Sequence, residues 1–144
     1  MREIKVNRPT LGPFMHVVCF RYLVEDADDL AGRALIVDAG RQRGQDLIEQ
    51  LGKKGTHQKA QDIQRELDDA LGLNGTRLCI IQSVTEKDNG GFQIHAMECA
   101  SPAYTMGVLV GAISAITGVS MLGKETDVGA EGPEARIYDI DPLG

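Results

Sequence analysis

The side chains of this sequence that could ligate a metal are histidines, cysteines and a methionine that lie within apolar runs. His16 and Cys19 share one run. His95, Met97 and Cys99 share another, with alternate spacing that places them on one face of a strand. Imidazole, thiolate and thioether groups can ligate a metal ion or the metal of a tetrapyrrole. We therefore predict ligand contacts at these five residues, with simple filling of the core as the alternative.

An arginine and two glycines supply the other candidate contacts. Arg41, with Arg43 close by, lies in a segment of helical pattern, and a guanidinium pairs well with a carboxylate or propionate. A solvated helix face is the alternative for both arginines. Gly107 and Gly111 are four residues apart on one helix face, so a flat ligand or another backbone can approach them closely. Both possibilities are open for the glycines.

Sequence motifs for catalysis are missing. The chain has no G-x-S-x-G nucleophile elbow and no G-x-G-x-x-G dinucleotide fingerprint. Cys99 and His95 would share a strand face, but no third group is placed to orient them. We therefore predict no catalytic residues and a protein that binds a ligand, with an enzyme as the less favoured alternative.

Length and charge are typical of a single globular domain. The 144 residues fit one domain, spanning 1–144 with its core in 13–140. A net charge of −6 argues against a nucleic-acid partner, because phosphate backbones are bound by clustered Lys and Arg. The first residues contain no long apolar run of the signal-peptide kind, so we expect a cytoplasmic protein. The three cysteines form no C-x-x-C pair and are predicted to be buried free thiols.

Hydrophobic spacing predicts four helices. The longest apolar one runs from Tyr104 to Gly118, and its uninterrupted apolar stretch is shorter than the ~20 residues that span a bilayer. We therefore expect a buried central helix. The other helices are predicted at Phe14–Val24, at Arg41–Leu51, and after an N-cap at Thr56 through Leu71. For Phe14–Val24 a strand is the alternative, because the segment is rich in β-branched and aromatic residues.

Short β-type runs predict the strands. Two of them, Thr76–Val84 and Phe92–Cys99, flank the hairpin sequence Asp88-Asn-Gly-Gly91. The others are predicted at Arg33–Val37, Val119–Glu125 and Ala135–Ile140. The resulting fold class is α+β, with helices packed on an antiparallel sheet.

Three segments in order resemble a known family. They are Val37-Asp-Ala-Gly-Arg-Gln-Arg-Gly44, Gly107-Val-Leu-Val-Gly-Ala-Ile113 and Val128-Gly-Ala-Glu-Gly-Pro-Glu-Ala-Arg-Ile-Tyr138. Together they resemble the 4-vinyl reductase domain superfamily, which also includes small subunits of the TRAPP vesicle-tethering complex. In its stand-alone size and acidic composition the chain also resembles the small hydrocarbon-binding members of this family in cyanobacteria.

The resemblance implies a binding protein. Its ligand would be a small apolar molecule, either a tetrapyrrole such as a chlorophyll or bilin intermediate or a fatty-acyl chain, in photosystem or pigment-protein assembly. The alternative is a TRAPP-like interaction module, a homodimer or a component of an assembly complex, that associates with membranes through its partners. A second alternative is an enzyme that acts on a tetrapyrrole.

The sequence departs from the family at a metal-binding pattern. Many members carry a glutamate followed by two cysteines, roughly E-x-x-C-x-x-x-G-x-x-x-C-x-F. Here Glu125 and Gly132 are present, but Val128 and Arg136 stand at the cysteine positions. Because structural zinc needs about four ligands, usually Cys or His, we predict no metal site there.

Overall fold

The computed structural model describes residues 7–12, 30–56 and 59–143. Three helices and four strands lie within these ranges, namely α1 (Leu30–Gln50), α2 (Ala60–Leu71), β1 (Ile80–Glu86), β2 (Phe92–Met97), α3 (Pro102–Thr117), β3 (Met121–Thr126) and β4 (Arg136–Pro142). The strands form one antiparallel sheet in the order β1-β2-β4-β3. The predicted α+β class is confirmed. The helix predicted at Phe14–Val24, with His16 and Cys19, lies outside the described residues.

The central apolar helix is confirmed as α3, which is buried along most of its length. Ser101 caps its N-terminus by accepting a hydrogen bond from the backbone N–H of Tyr104 at 3.4 Å, and Pro102 occupies the first turn. Gly118 ends it in a left-handed conformation with φ 72°. None of the helices in the described ranges is both long and apolar enough to cross a membrane.

Helix α1 begins earlier than the sequence predicts. The strand predicted at Arg33–Val37 is wrong, because these residues are helical and belong to the 21-residue α1. Ile36 and Val37 favour a strand locally, but packing of α1 along α3 decides the conformation. Leu35 is consequently 71% exposed, whereas Val37 packs against the core.

Four glycines set the crossing of α1 and α3. A Cβ atom on Gly40 would lie 2.5 Å from the carbonyl oxygen of Tyr104, and one on Gly44 would lie 2.8 Å from the amide nitrogen of Ala112. Conversely, a Cβ on Gly107 or Gly111 would meet the backbone of Arg41 at 3.0 Å. The two backbones therefore touch, and of the two possibilities for these glycines the structure shows close helix packing.

The predicted hairpin is present in the sheet, but some strands begin or end at other residues than predicted. Gly90 turns the chain with φ 84°, and Lys87 donates its backbone N–H to the Gly91 carbonyl at 2.9 Å. The second strand ends at Met97 because Glu98 adopts φ 53°, which interrupts the alternation of faces. The prediction that Cys99 shares a face with His95 is therefore wrong.

Helix α2 protects the outer edge of β1. The Gln64 amide donates to the Gln82 carbonyl at 3.0 Å, and the Asp68 carboxylate accepts from the Ile81 N–H at 3.1 Å. These bonds satisfy backbone groups that an edge strand would leave open to other chains. The predicted N-cap at Thr56 is wrong, since α2 starts at Ala60 and the Thr56 hydroxyl donates to the Lys53 carbonyl at 2.7 Å.

Candidate ligand-binding site

A cavity of about 300 Å³ lies between α1, α3 and the segment that joins α2 to β1. Its lining comes from all of these parts of the chain. The lining residues are Arg43, Leu47, Leu71, Thr76, Leu78, Tyr104 and Val108.

The glycine crossing places the two helical walls of the cavity side by side. Arg43 and Leu47 are four residues apart on α1, as are Tyr104 and Val108 on α3, so each pair shares a helix face. Gly44 lies between the first pair and touches the backbone of Val108. The close approach of the helices thus brings both pairs to one site.

The remaining wall is aliphatic and buried. Leu71 at the end of α2 and Leu78 before β1 are 1% and 2% exposed. Val108 on the opposite side is 1% exposed, and Leu47 packs against the same core. A ligand in this cavity would contact mainly hydrocarbon.

Three polar side chains complete the lining. The hydroxyl of Thr76 is shielded from solvent and finds no hydrogen-bond partner in the described part of the chain. Burial raises the pKa of Tyr104, and the positive charge of Arg43 partly offsets that rise. Among the described residues, the cavity therefore combines aliphatic walls with two hydroxyls and one guanidinium.

Arg41 lies in a different place from Arg43. It lines a groove of about 360 Å³ between α1, α3 and β3, together with Met106, Val110 and Leu122. Its guanidinium contacts the Asp38 carboxylate at 2.5 Å, one turn earlier on the exposed surface. The two arginines therefore do not converge on one ligand group.

The structure separates the other predicted contact residues. His95 and Met97 are half-buried on the outer face of the sheet, where the His95 Nε2 atom lies 3.3 Å from the Gln93 amide oxygen. Neither residue lines the cavity or the groove. Gly107 and Gly111 face the backbone of α1. Ligand contact by these residues stays a prediction.

Cys99 turns into the core instead. Its sulfur lies 3.9 Å from the hydroxyl of Tyr138, which also donates to the Pro102 carbonyl at 3.0 Å. Cys79 is likewise a buried free thiol, and burial, followed by the nearby Cys99, raises its pKa well above the ordinary value. The prediction of buried free thiols is confirmed for these two cysteines. Within 7–12, 30–56 and 59–143, no three His, Cys, Asp or Glu side chains are grouped to hold a metal ion.

Sequence reasoning missed most of the cavity. Tyr104 and Val108 carry the i, i+4 spacing that could have marked them as neighbours. Thr76 and Leu78 carried no such signal, because their position depends on how the irregular segment after α2 folds back.

The fold is shared with a known sensory domain. In the crystal structure of the phenol-responsive sensory domain of the transcription activator PoxR with phenol, the similar region covers 76% of that chain and 90% of this one. The TM-score is 0.62 and the sequence identity is 15%, so the similarity concerns the fold. No protein-family model matches the chain, and no curated protein aligns with it significantly.

Proposed function

We propose that this domain binds a small, largely apolar molecule in the cavity between α1, α3 and the α2–β1 segment, without catalysing a reaction. One observation carries the proposal: the cavity is aliphatic but contains the buried Thr76 hydroxyl, which has no partner among the described residues. Ligand sites combine apolar walls with a few polar groups in this way. Because an unsatisfied buried hydroxyl costs ~1–3 kcal/mol, a ligand that bonds to it gains affinity.

The volume of the cavity limits the size of the ligand. Its volume of about 300 Å³ is at the lower end of the range for small-molecule sites, ~300–1,000 Å³. One or two rings or a short acyl chain suit this volume better than a tetrapyrrole does. The PoxR sensory domain, which shares the fold and is described as phenol-responsive, gives support by analogy for a small aromatic ligand.

The narrower family assignment is also part of the proposal. We infer that the chain is a distant member of the 4-vinyl reductase superfamily, since two of the three resembling segments form the facing parts of α1 and α3 and the third leads into β4. A role with tetrapyrroles in photosystem assembly rests on the sequence resemblance alone. A homodimer or an assembly partner, a cytoplasmic location and a single domain over 1–144 likewise stay predictions.

Titration calorimetry with phenol and 2-phenylethanol tests the binding function. The wild-type protein should bind at least one of them saturably. Leu47→Trp, which fills the cavity from α1, should weaken that binding at least tenfold, about 1.4 kcal/mol. Leu35→Trp is the matched control, because Leu35 lies on the same helix but is 71% exposed.

Two outcomes would contradict the proposal. One is the absence of saturable binding by the folded wild-type protein, as judged by its circular dichroism. The other is equal binding by the wild-type protein and a folded Leu47→Trp variant, which would locate the ligand elsewhere.

A further inference from the structure

We propose that the cavity selects an anionic ligand, a small monocarboxylate with an aromatic or short aliphatic body, through the guanidinium of Arg43. The inference rests on the proposed binding function and adds the chemical class of the ligand. It follows from the charge, the hydrogen-bonding state and the position of one side chain.

Arg43 has no polar partner in the part of the chain that the structure describes. It forms no hydrogen bond or ion pair with any residue of the described ranges. Three other arginines differ, since Arg33 pairs with Glu125, Arg41 with Asp38 and Arg65 with Asp62. A guanidinium presents five donors in a planar fork. Those of Arg43 are therefore available to a ligand.

The cavity lining is positive among the described residues, which contribute Arg43 and no aspartate or glutamate. The whole chain carries a net charge of −6, so this positive lining is a local exception on an acidic protein. Anion recognition here must come from direct contact with the guanidinium, because the overall charge repels an approaching anion.

Arg43 and Tyr104 line the same cavity. Burial raises the pKa of Tyr104, and the positive charge of Arg43 partly offsets that rise. A ligand beside this phenol would therefore lie within reach of the charge of the guanidinium. The hydroxyl of Thr76 adds a second polar contact to the same lining.

The number of charges favours a carboxylate over a phosphate. A phosphate monoester carries about −1.5 to −2 charges at pH 7, so a single guanidinium would leave much of that charge uncompensated. A carboxylate carries one charge and matches the guanidinium with two parallel hydrogen bonds. The aliphatic walls and the volume of about 300 Å³ then limit the rest of the molecule to a small apolar body.

Calorimetry with a matched pair of probes tests the inference. Phenylacetate and 2-phenylethanol share the ring and the two-carbon chain but differ in charge. The wild-type protein should bind phenylacetate about tenfold more tightly in low salt, equivalent to about 1.4 kcal/mol. Arg43→Gln should abolish this preference, so that phenylacetate and 2-phenylethanol bind this variant with similar affinity. Arg43→Lys should keep part of it, because the charge stays while the planar fork is lost.

Arg41→Gln is the matched control. Arg41 lies two residues earlier on the same helix, is similarly exposed and lines the other groove. This variant should preserve the preference for phenylacetate.

The outcomes separate the two proposals. If 2-phenylethanol binds and phenylacetate binds no more tightly, the inference is wrong while the binding function holds. The same conclusion follows if Arg43→Gln weakens both probes equally, since the residue would then support the site without recognising charge. If neither phenylacetate nor 2-phenylethanol binds, the inference is wrong, and if phenol also fails to bind, the binding function is contradicted as well.

Discussion

Replacing Gly40 by alanine should destabilise the protein, although alanine is the better helix former. In an exposed helix position this change would stabilise by about 1 kcal/mol. Gly40 is not exposed, because it lies in the crossing of α1 and α3. Its new Cβ would lie 2.5 Å from the Tyr104 carbonyl oxygen and 3.0 Å from the Val108 amide nitrogen.

The size of the effect follows from these distances. Ordinary contact with a Cβ begins at 3.4 Å, so the Tyr104 oxygen must retreat by about 0.9 Å, the difference between 3.4 and 2.5 Å. The obstacle is backbone, so the helices must move apart. When the helices separate by ~0.5–1 Å, each dispersion contact between them loses about a quarter to a half of its energy. Overpacking of this kind costs ~1–3 kcal/mol. After the helix-propensity gain, we expect a net loss of about 1–2 kcal/mol.

Urea unfolding followed by far-ultraviolet circular dichroism measures this loss, since the chain has no tryptophan. Thermal unfolding should show a midpoint lowered by about 3–8 °C. Gln42→Ala is the control, because Gln42 is exposed on the same helix and should change stability by less than about 0.5 kcal/mol. A Gly40→Ala variant as stable as the wild-type protein, or more stable, would refute the helix contact.

Three further predictions concern single side chains. Thr76→Val should stabilise the unliganded protein by about 1 kcal/mol in urea unfolding, because it removes a buried hydroxyl without a described partner. Thr85→Val, at an exposed position, is the control, and an equal effect of both substitutions would contradict the cost assigned to the buried hydroxyl. In a Cys19→Ser background, iodoacetamide at pH 8 should leave Cys79 unmodified by mass spectrometry until urea is added, because burial raises its pKa; rapid native labelling would contradict the burial. The hydrogen bond from Lys87 lowers the pKa of Asp141, so its stabilisation should be fully present above the unfolded pKa of about 3.9 and lost as the pH falls from there through the lower folded value. Asp141→Asn should flatten that acid limb in thermal melts from pH 7 to 2.5, and an unchanged limb would argue against the contact.

The sequence predicted the fold class because its patterns are regular where the sheet is formed. The Asp88–Gly91 hairpin and the alternation of Phe92, Ile94 and Ala96 toward the core are local signals, and both are present in the structure. The strand predicted for residues 33–37 was wrong because their local preference for a strand is weaker than the packing of α1 on α3.

The candidate site was harder to predict than the fold. Cys99 was wrongly assigned to the strand face of His95 because no sequence pattern predicts the left-handed backbone at Glu98. Arg43 was recognised as a possible carboxylate contact, but only the structure distinguishes it from Arg41. The cavity joins residues from four parts of the chain, and their proximity depends on a helix crossing and an irregular segment.

The glycine crossing offers a way to recognise distant relatives of this chain. Backbone contact restricts Gly40, Gly44, Gly107 and Gly111 to the smallest side chain, whereas most core positions accept several aliphatic residues. Two G-x-x-x-G pairs, separated by the segment that contains the end of α1, helix α2 and the β1–β2 hairpin, can therefore persist after general sequence similarity is lost. A search for this spacing would therefore select chains in which two helices can cross in backbone contact, as α1 and α3 do here.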